Sequence, residues 1–266
     1  MHIFVQKGKR LMKVLICGKG GSGKSTVSVL IAKNLKNRGY KVLLVDADES
    51  NSGLHRLAGC SSPVILIDSL GGKKGAKDKM IQAFSKESAG MMLNQKWRIR
   101  DIPDDYLASA DGISLLTVGK VHHLGEGCAC MMGAVSKTFL SNLVVGNDEF
   151  VIADTEAGVE HFGRNVSQGC DMILDVVDPS FESFMLAEKI QEMCHDAKIP
   201  VFFVLNKVEE QVREAMFRHI PREKVIAEIP KDHDIFMDSL EGRELGKELP
   251  EINRACEFIE SLKRKQ

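Results

Sequence analysis

Val14-Leu15-Ile16-Cys17-Gly18-Lys19-Gly20-Gly21-Ser22-Gly23-Lys24-Ser25-Thr26 decides how the rest of the chain is read. A short apolar run with the pattern of a buried strand leads into a glycine-rich turn. The segment from Lys24 to Arg38 then carries apolar residues three and four apart, the period of a helix. Glycines flanking four residues, followed by Lys and Ser, let backbone N–H groups turn inward on phosphate oxygens, because glycine adopts the required dihedrals without a Cβ clash. Lys24 then meets the β and γ phosphates, Ser25 offers a hydroxyl to Mg²⁺, and the helix presents its positive end to the anion. Gly20, Gly21, Ser22, Gly23, Lys24, Ser25 and Thr26 are therefore the predicted nucleotide contacts of this loop. A merely tight packing turn is the competing reading, and the strand before and helix after favour phosphate.

Working outward, further strands are predicted at Val42 to Val45, Ile113 to Val118, Phe150 to Ala153, Met172 to Val177, Val201 to Leu205 and Val225 to Ile229. Helices are predicted at Phe181 to Asp196, Glu209 to His219 and Pro250 to Lys263, and Gly39 fits a left-handed stop to the first helix. Apolar strands alternating with helices predict an α/β fold, a predominantly parallel, doubly wound P-loop sheet of seven or eight strands with helices on both faces. Residues 12–266 read as one domain with an insertion or lid at about 70–111, where Gly71-Gly72-Lys73-Lys74-Gly75 breaks the rhythm. Residues 1–11 read as an N-terminal extension, with Met12 a candidate native start and no signal-peptide pattern.

Of the 266 residues, 44% are hydrophobic and 27% charged, and no apolar run approaches the roughly 18 residues that cross a bilayer. A net charge of -1 supplies no bulk attraction to nucleic acid or anionic lipid, so neither partner is expected. The seven cysteines are scattered through strands and helices rather than framing a small loop-rich fold, which predicts a reducing, cytoplasmic setting.

Two carboxylates, Asp46 and Asp48, follow the second strand, and Asp154-Thr155-Glu156-Ala157-Gly158 follows Phe150 to Ala153, so the acids gather at the sheet edge where open α/β folds bind ligands. Asn206, at the end of the next-to-last strand with Lys207 beside it, offers a donor and an acceptor to a base edge, and Ile229-Pro230 ends the last strand.

Lys19, a second cation in the loop, gives the segment a likeness of its own: Lys19-Gly20-Gly21-Ser22-Gly23-Lys24-Ser25 resembles the MinD, ParA and nitrogenase iron protein superfamily. That resemblance implies ATP as the nucleotide and ATP-driven homodimerisation, with Lys19 acting in trans on the partner's phosphates. It also implies that Asp48 orients the attacking water and Asp46 supports the metal shell. Asp154 takes the Walker-B role, reaching Mg²⁺ through water, and Gly158 senses the γ-phosphate. Lys19, Lys24 and Asp48 are the expected catalytic residues.

Gly127-Cys128-Ala129-Cys130 is a different signal. In an extended segment residues two apart point the same way, so both thiols face one side and suit one soft cation, Ni²⁺ or Zn²⁺. Such an ion takes four ligands, and a symmetric dimer offers two cysteines from each subunit. Core cysteines and a redox dithiol are the other readings, and His122 and His123 are either additional ligands or solvated loop residues. The Cys-x-Cys taken with Asp154-Thr155-Glu156-Ala157-Gly158-Val159-Glu160-His161-Phe162-Gly163-Arg164 resembles the CooC-type accessory ATPases. This resemblance implies nickel insertion into a client enzyme, carbon monoxide dehydrogenase or acetyl-CoA synthase, coupled to ATP hydrolysis. A MinD or ParA-like positioning protein and an electron donor like the nitrogenase iron protein are the rivals. The first would use a C-terminal membrane anchor, for which Ile252, Ala255, Phe258, Ile259 and Leu262 make an apolar stripe.

Overall fold

A computed structural model describes residues 12–69, 96–120, 130–159 and 166–264. The expected first strand is β1, Lys13–Gly18, and every one of its residues is buried. It is followed by α1 (Lys24–Asn37) and β2 (Lys41–Ala47). Gly39, at φ +92°, ends the helix as expected, its N–H donating to Lys36 O over 2.8 Å. Two short helices, α2 (Leu54–Ala58) and α3 (Leu66–Ser69), come next. Beyond residues 70–95, which lie outside the described residues, come β3 (Trp97–Arg98), β4 (Ala108–Ala110) and β5 (Ile113–Thr117). The second half runs α4 (Cys130–Asn142), β6 (Leu143–Val144), β7 (Glu149–Thr155), β8 (Met172–Val177), α5 (Phe181–Ala197), β9 (Val201–Val208), α6 (Glu210–Phe217), β10 (Val225–Pro230), α7 (His233–Glu241) and α8 (Pro250–Arg264).

Eight strands form the main sheet in the order β10-β9-β8-β1-β7-β2-β5-β4. All neighbours are parallel except β4, which pairs antiparallel with β5 through Ala108 to Leu115 and Ala110 to Ile113. The end of the segment read as an insertion is thus an edge strand of the sheet. Because successive side chains on a strand point to opposite faces, each strand feeds two cores. Val14, Ile16, Val42, Leu44, Ile152 and Leu174 pack with α1 and α8 on one face, while Leu15, Cys17, Leu43, Val45, Val151 and Ile173 pack with α4 and α5 on the other.

The stripe considered as a membrane anchor belongs to the first of these cores. Ile252, Ala255, Ile259 and Leu262 are buried, and the Phe258 ring meets Phe202 edge-on at 4.7 Å between centroids. No helix among the described residues is long and apolar enough to cross a membrane.

Cys130 is the first residue of α4, so the expectation of an extended Cys-x-Cys segment is corrected there: the backbone at Cys130 is helical. Sequence periodicity missed this helix because Gly133, Val135, Ser136, Thr138 and Ser141 dilute its helical signature with poor helix formers.

Candidate functional site

The strands β1, β2, β5, β7 and β8 all run parallel, so their C-terminal ends deliver the glycine-rich loop, the acids and Lys120 to one edge. The loop takes its shape from glycine. Gly23 sits at φ +99°, and a Cβ there would lie 2.3 Å from Asn206 Nδ2. That amide has closed on the loop, donating to Ser22 O over 2.7 Å, and Lys207 Nζ donates to Gly21 O over 2.7 Å. Lys207 reaches it from a left-handed backbone at φ +58°, a conformation that costs a non-glycine residue about 1 kcal/mol or more. With the Ser22 carbonyl held from outside, the Gly23 N–H on the opposite edge of that peptide group faces inward, while the Ser22 N–H is spent within the loop, donating to Lys19 O over 3.1 Å. Asn206 and Lys207, expected at the base edge, therefore brace the phosphate loop, while Pro230 closes β10 as an exposed residue. Thr26 Oγ1 lies 3.3 Å from Ser239 Oγ, tying the start of α1 to α7.

Lys24 Nζ donates to Lys19 O over 3.2 Å, curling back over the loop. Ser25 Oγ donates to Asp154 Oδ2 over 2.7 Å, and Ser28 Oγ donates to Asp154 Oδ1 over 3.0 Å. Asp154 is wholly buried on β7, level with Asp46 on the adjacent β2. Burial pushes the Asp154 carboxyl up to about 6, against the hydrogen bonds from Ser25 and Ser28 and the nearby Lys24 ammonium. Burial likewise pushes Asp46 up to about 7, although Lys120 Nζ lies 2.8 Å and 2.7 Å from its two oxygens. Asp48 is folded into a turn, accepting from Ser50 N at 2.9 Å, Ser50 Oγ at 2.7 Å and Asn51 N at 3.2 Å. A carboxylate and a serine hydroxyl are hard oxygen donors, and a buried acid whose pKa is raised favours an added cation, so Ser25 and Asp154, joined by their hydrogen bond, suit a share of a Mg²⁺ shell.

Gly158 pairs with Gly18, its N–H donating to Gly18 O over 3.2 Å, and holds φ +90°. The segment after Asp154 is thereby laid against the phosphate loop, and a Cβ on Gly20 would meet the Ala157 methyl at 3.7 Å. Lys19 Nζ lies 3.4 Å from Asp178 Oδ2 of the same chain. Asp178 also accepts from Ser180 Oγ at 2.7 Å and Ser183 Oγ at 2.6 Å. Burial opposes its ionisation, yet the Ser183 and Ser180 hydroxyls together with Lys19 hold its carboxyl below the usual range.

Pairwise contacts join several of the expected residues along this edge: Lys24 to the Lys19 carbonyl, Ser25 to Asp154, Asp154 level with Asp46, and Gly158 to Gly18. Asn51, Lys120 and Asp178 join them unforeseen. Asn51 Nδ2 donates to Ser25 Oγ over 2.8 Å, so it links the loop after β2 to the phosphate loop. No spacing rule marks a lysine such as Lys120, which reaches sideways to a neighbouring strand. Cys128, His122 and His123 lie outside the described residues. Among the described residues no three His, Cys, Asp or Glu side chains are grouped to hold a metal.

Residues 13–245 match the model of the CobQ/CobB/MinD/ParA nucleotide binding domain. The chain belongs to this family. Among MinD/ParA-type relatives, it is 42% identical over 248 residues to an uncharacterized ATP-binding protein of Methanocaldococcus jannaschii, covering 93% of this chain and 99% of that one. It is 30% identical over 202 residues to the carbon monoxide dehydrogenase accessory protein CooC of Rhodospirillum rubrum, covering 76% of each. Among MinD/ParA-type structures, the septum site-determining protein MinD of Pyrococcus horikoshii, complexed with Mg-ADP, superposes with a TM-score of 0.69 at 19% identity, covering 96% of this chain and 99% of that one. The phosphate loop, the acids on β2 and β7 and the eight-stranded sheet are thus parts of a nucleotide-binding domain of the MinD/ParA type.

Proposed function

We propose that this chain is an ATP-hydrolysing switch that dimerises on ATP and carries Ni²⁺ or Zn²⁺ to a nickel enzyme, carbon monoxide dehydrogenase or acetyl-CoA synthase. The observation that carries the reading is the joining, in one chain, of a two-lysine phosphate loop set against Asp46, Asp48 and Asp154 with the Cys128 and Cys130 pair. The likeness to CooC supports the metal half. Lys24 and the loop N–H groups hold the phosphates, and Ser25 with Asp154 and Asp46 would hold Mg²⁺, whose charge would offset the negative charge on the phosphates. Asp48 orients the attacking water. Lys19 leaves Asp178 for the partner subunit's nucleotide, so dimer closure and hydrolysis share a residue. A metal site divided between subunits changes geometry on closure, which makes nucleotide and metal affinities reciprocal.

Against a membrane-bound positioning role stands the burial of the α8 stripe in the core. The reading is tested by titrating the full chain with Ni²⁺ and with Zn²⁺ in a calorimeter, with and without Mg-ATP. One metal per two chains is expected, with affinity altered by Mg-ATP and lost in Cys128→Ser/Cys130→Ser. Undiminished metal binding in that variant overturns the metal assignment.

A further inference from the structure

Lys120 stands three residues past the end of β5, with its side chain 10% exposed, and its ammonium is surrounded by oxygens of the loop that follows β2. It bonds both oxygens of Asp46, the carbonyl of Asp48 at 2.5 Å and the carbonyl of Asn51. A lysine has three N–H donors, and here they serve one carboxylate and two carbonyls, so its hydrogen-bonding capacity is used on this loop. The three grips fall before, at and after Asp48, and none of them is on the Asp48 carboxylate. That carboxylate is instead held by Ser50 and Asn51, within the span that the ammonium pins. Beyond it, the Asn51 side chain carries the connection to Ser25 Oγ.

The placement of Lys120 is itself built by the sheet. Asp46 and Thr117 are partners in the β2 and β5 register, and Val118 N–H donates to Asp46 O over 2.9 Å. The two chain ends therefore leave the sheet side by side. A lysine two residues past Val118 has the reach to fold back over its neighbour's loop, where the buried Asp46 supplies the charge that keeps an ammonium there.

We propose that Lys120 is a positioning residue for Asp48: by fixing Asp46, the Asp48 carbonyl and Asn51 it sets the direction in which the Asp48 carboxylate faces the nucleotide's outer phosphate. The inference rests on the reading of Asp48 as the group that orients water. It separates Lys120 from the loop lysines, because none of the four oxygens it contacts belongs to residues 18–24.

The test uses the full chain with Lys120→Met and Lys120→Arg, read by steady-state ATPase kinetics, ADP calorimetry and amide exchange without nucleotide. Lys120→Met is expected to lower kcat roughly 10- to 100-fold, the effect of misplacing a reacting group by about an ångström, with KM for ATP and Kd for ADP within about 3-fold. The amides of Ser50 and Asn51 are expected to exchange about 10-fold faster or more in Lys120→Met, as charged hydrogen bonds are lost, while those of residues 18–26 keep their protection. Lys120→Arg, which keeps the charge, should recover part of both effects. Unchanged kcat and exchange in Lys120→Met overturn the proposal, as does equal loss of ADP affinity and of protection in the phosphate loop. If Lys120→Met does not fold, the wild-type chain still decides: Ser50 and Asn51 amides exchanging at unprotected rates show that no clamp exists. A wild-type chain that binds ADP but never hydrolyses ATP removes the proposed ATPase, and the exchange comparison continues to judge Lys120 separately.

Discussion

Gly23→Ala places a methyl where the structure has least room for one. The backbone there is at φ +99°, and a left-handed conformation costs an alanine about 1–2 kcal/mol. The new Cβ would also stand 2.3 Å from Asn206 Nδ2, so the amide must leave Ser22 O and forfeit its 2.7 Å hydrogen bond, for about 1 kcal/mol more. The sum, about 2–3 kcal/mol, is a sizeable part of the roughly 5–15 kcal/mol that holds a domain folded. For a domain of this size each kcal/mol moves Tm by about 2–4 °C, so scanning calorimetry should show a fall of about 4–12 °C. The same change made in an Asn206→Ala background meets neither the clash nor the hydrogen bond and should cost only the backbone share, leaving a coupling of about 1 kcal/mol. A Tm within about 1 °C of wild type, or an identical cost in both backgrounds, would refute the claim that Asn206 braces the loop through Gly23.

Two further outcomes are expected. Lys19→Ala should keep ADP binding, since Lys24 and the loop N–H groups remain, and lose ATP turnover by roughly the 10³-fold or more that a trans-acting cation contributes; unchanged turnover would exclude an in-trans role. Asp175, buried on β8 with Oδ2 unpartnered, is pushed up to about 8 by burial, against the pull of Lys24. The folded chain then binds its proton more tightly than the unfolded chain, whose carboxyl ionises near 4, so stability falls as pH rises from about 4 to about 8. Asp175→Asn should remove up to about 1.4 kcal/mol per pH unit of that slope, and because Asp46 and Asp154 contribute equally to both proteins, the difference between the two curves isolates Asp175. Urea unfolding at a series of pH values measures it, and parallel curves for the two proteins would exclude the assignment.

The seven sequence-derived strands are all present; six of them are mostly apolar runs inside a two-faced sheet, where burial dictates the conformation, and the seventh, β10, is a border strand whose Val225, Ile226, Ala227 and Ile229 still mark it. β4 was invisible for the converse reason. Ala108-Ser109-Ala110 has no large apolar or β-branched residue and is extended because β5 offers it a partner. At the site, residues whose chemistry depends on local spacing were legible: the loop, and the acids that end β2 and β7. Asp178 and Lys120 were not, since each acts on a segment far away in sequence, Lys19 and the 46–51 loop respectively. The same limit explains Asn206. Its position at a strand end was readable, but its occupation by Ser22 O depends on how close β9 brings it to the phosphate loop.

The two borders of the main sheet bear on how copies of this chain can meet. A sheet border with a long row of unused backbone donors and acceptors recruits strands from other molecules. Here one border is only Ala108–Ala110, and the other, β10, pairs with β9 through register shifts near Val225 and Glu228 and stops at Pro230, which has no N–H to offer. Neither makes an adhesive rail for extending the sheet into a fibre or a strand-swapped pair. In the dimer proposed above, copies would meet instead at the loop-bearing end, where each contact is made and unmade with the nucleotide.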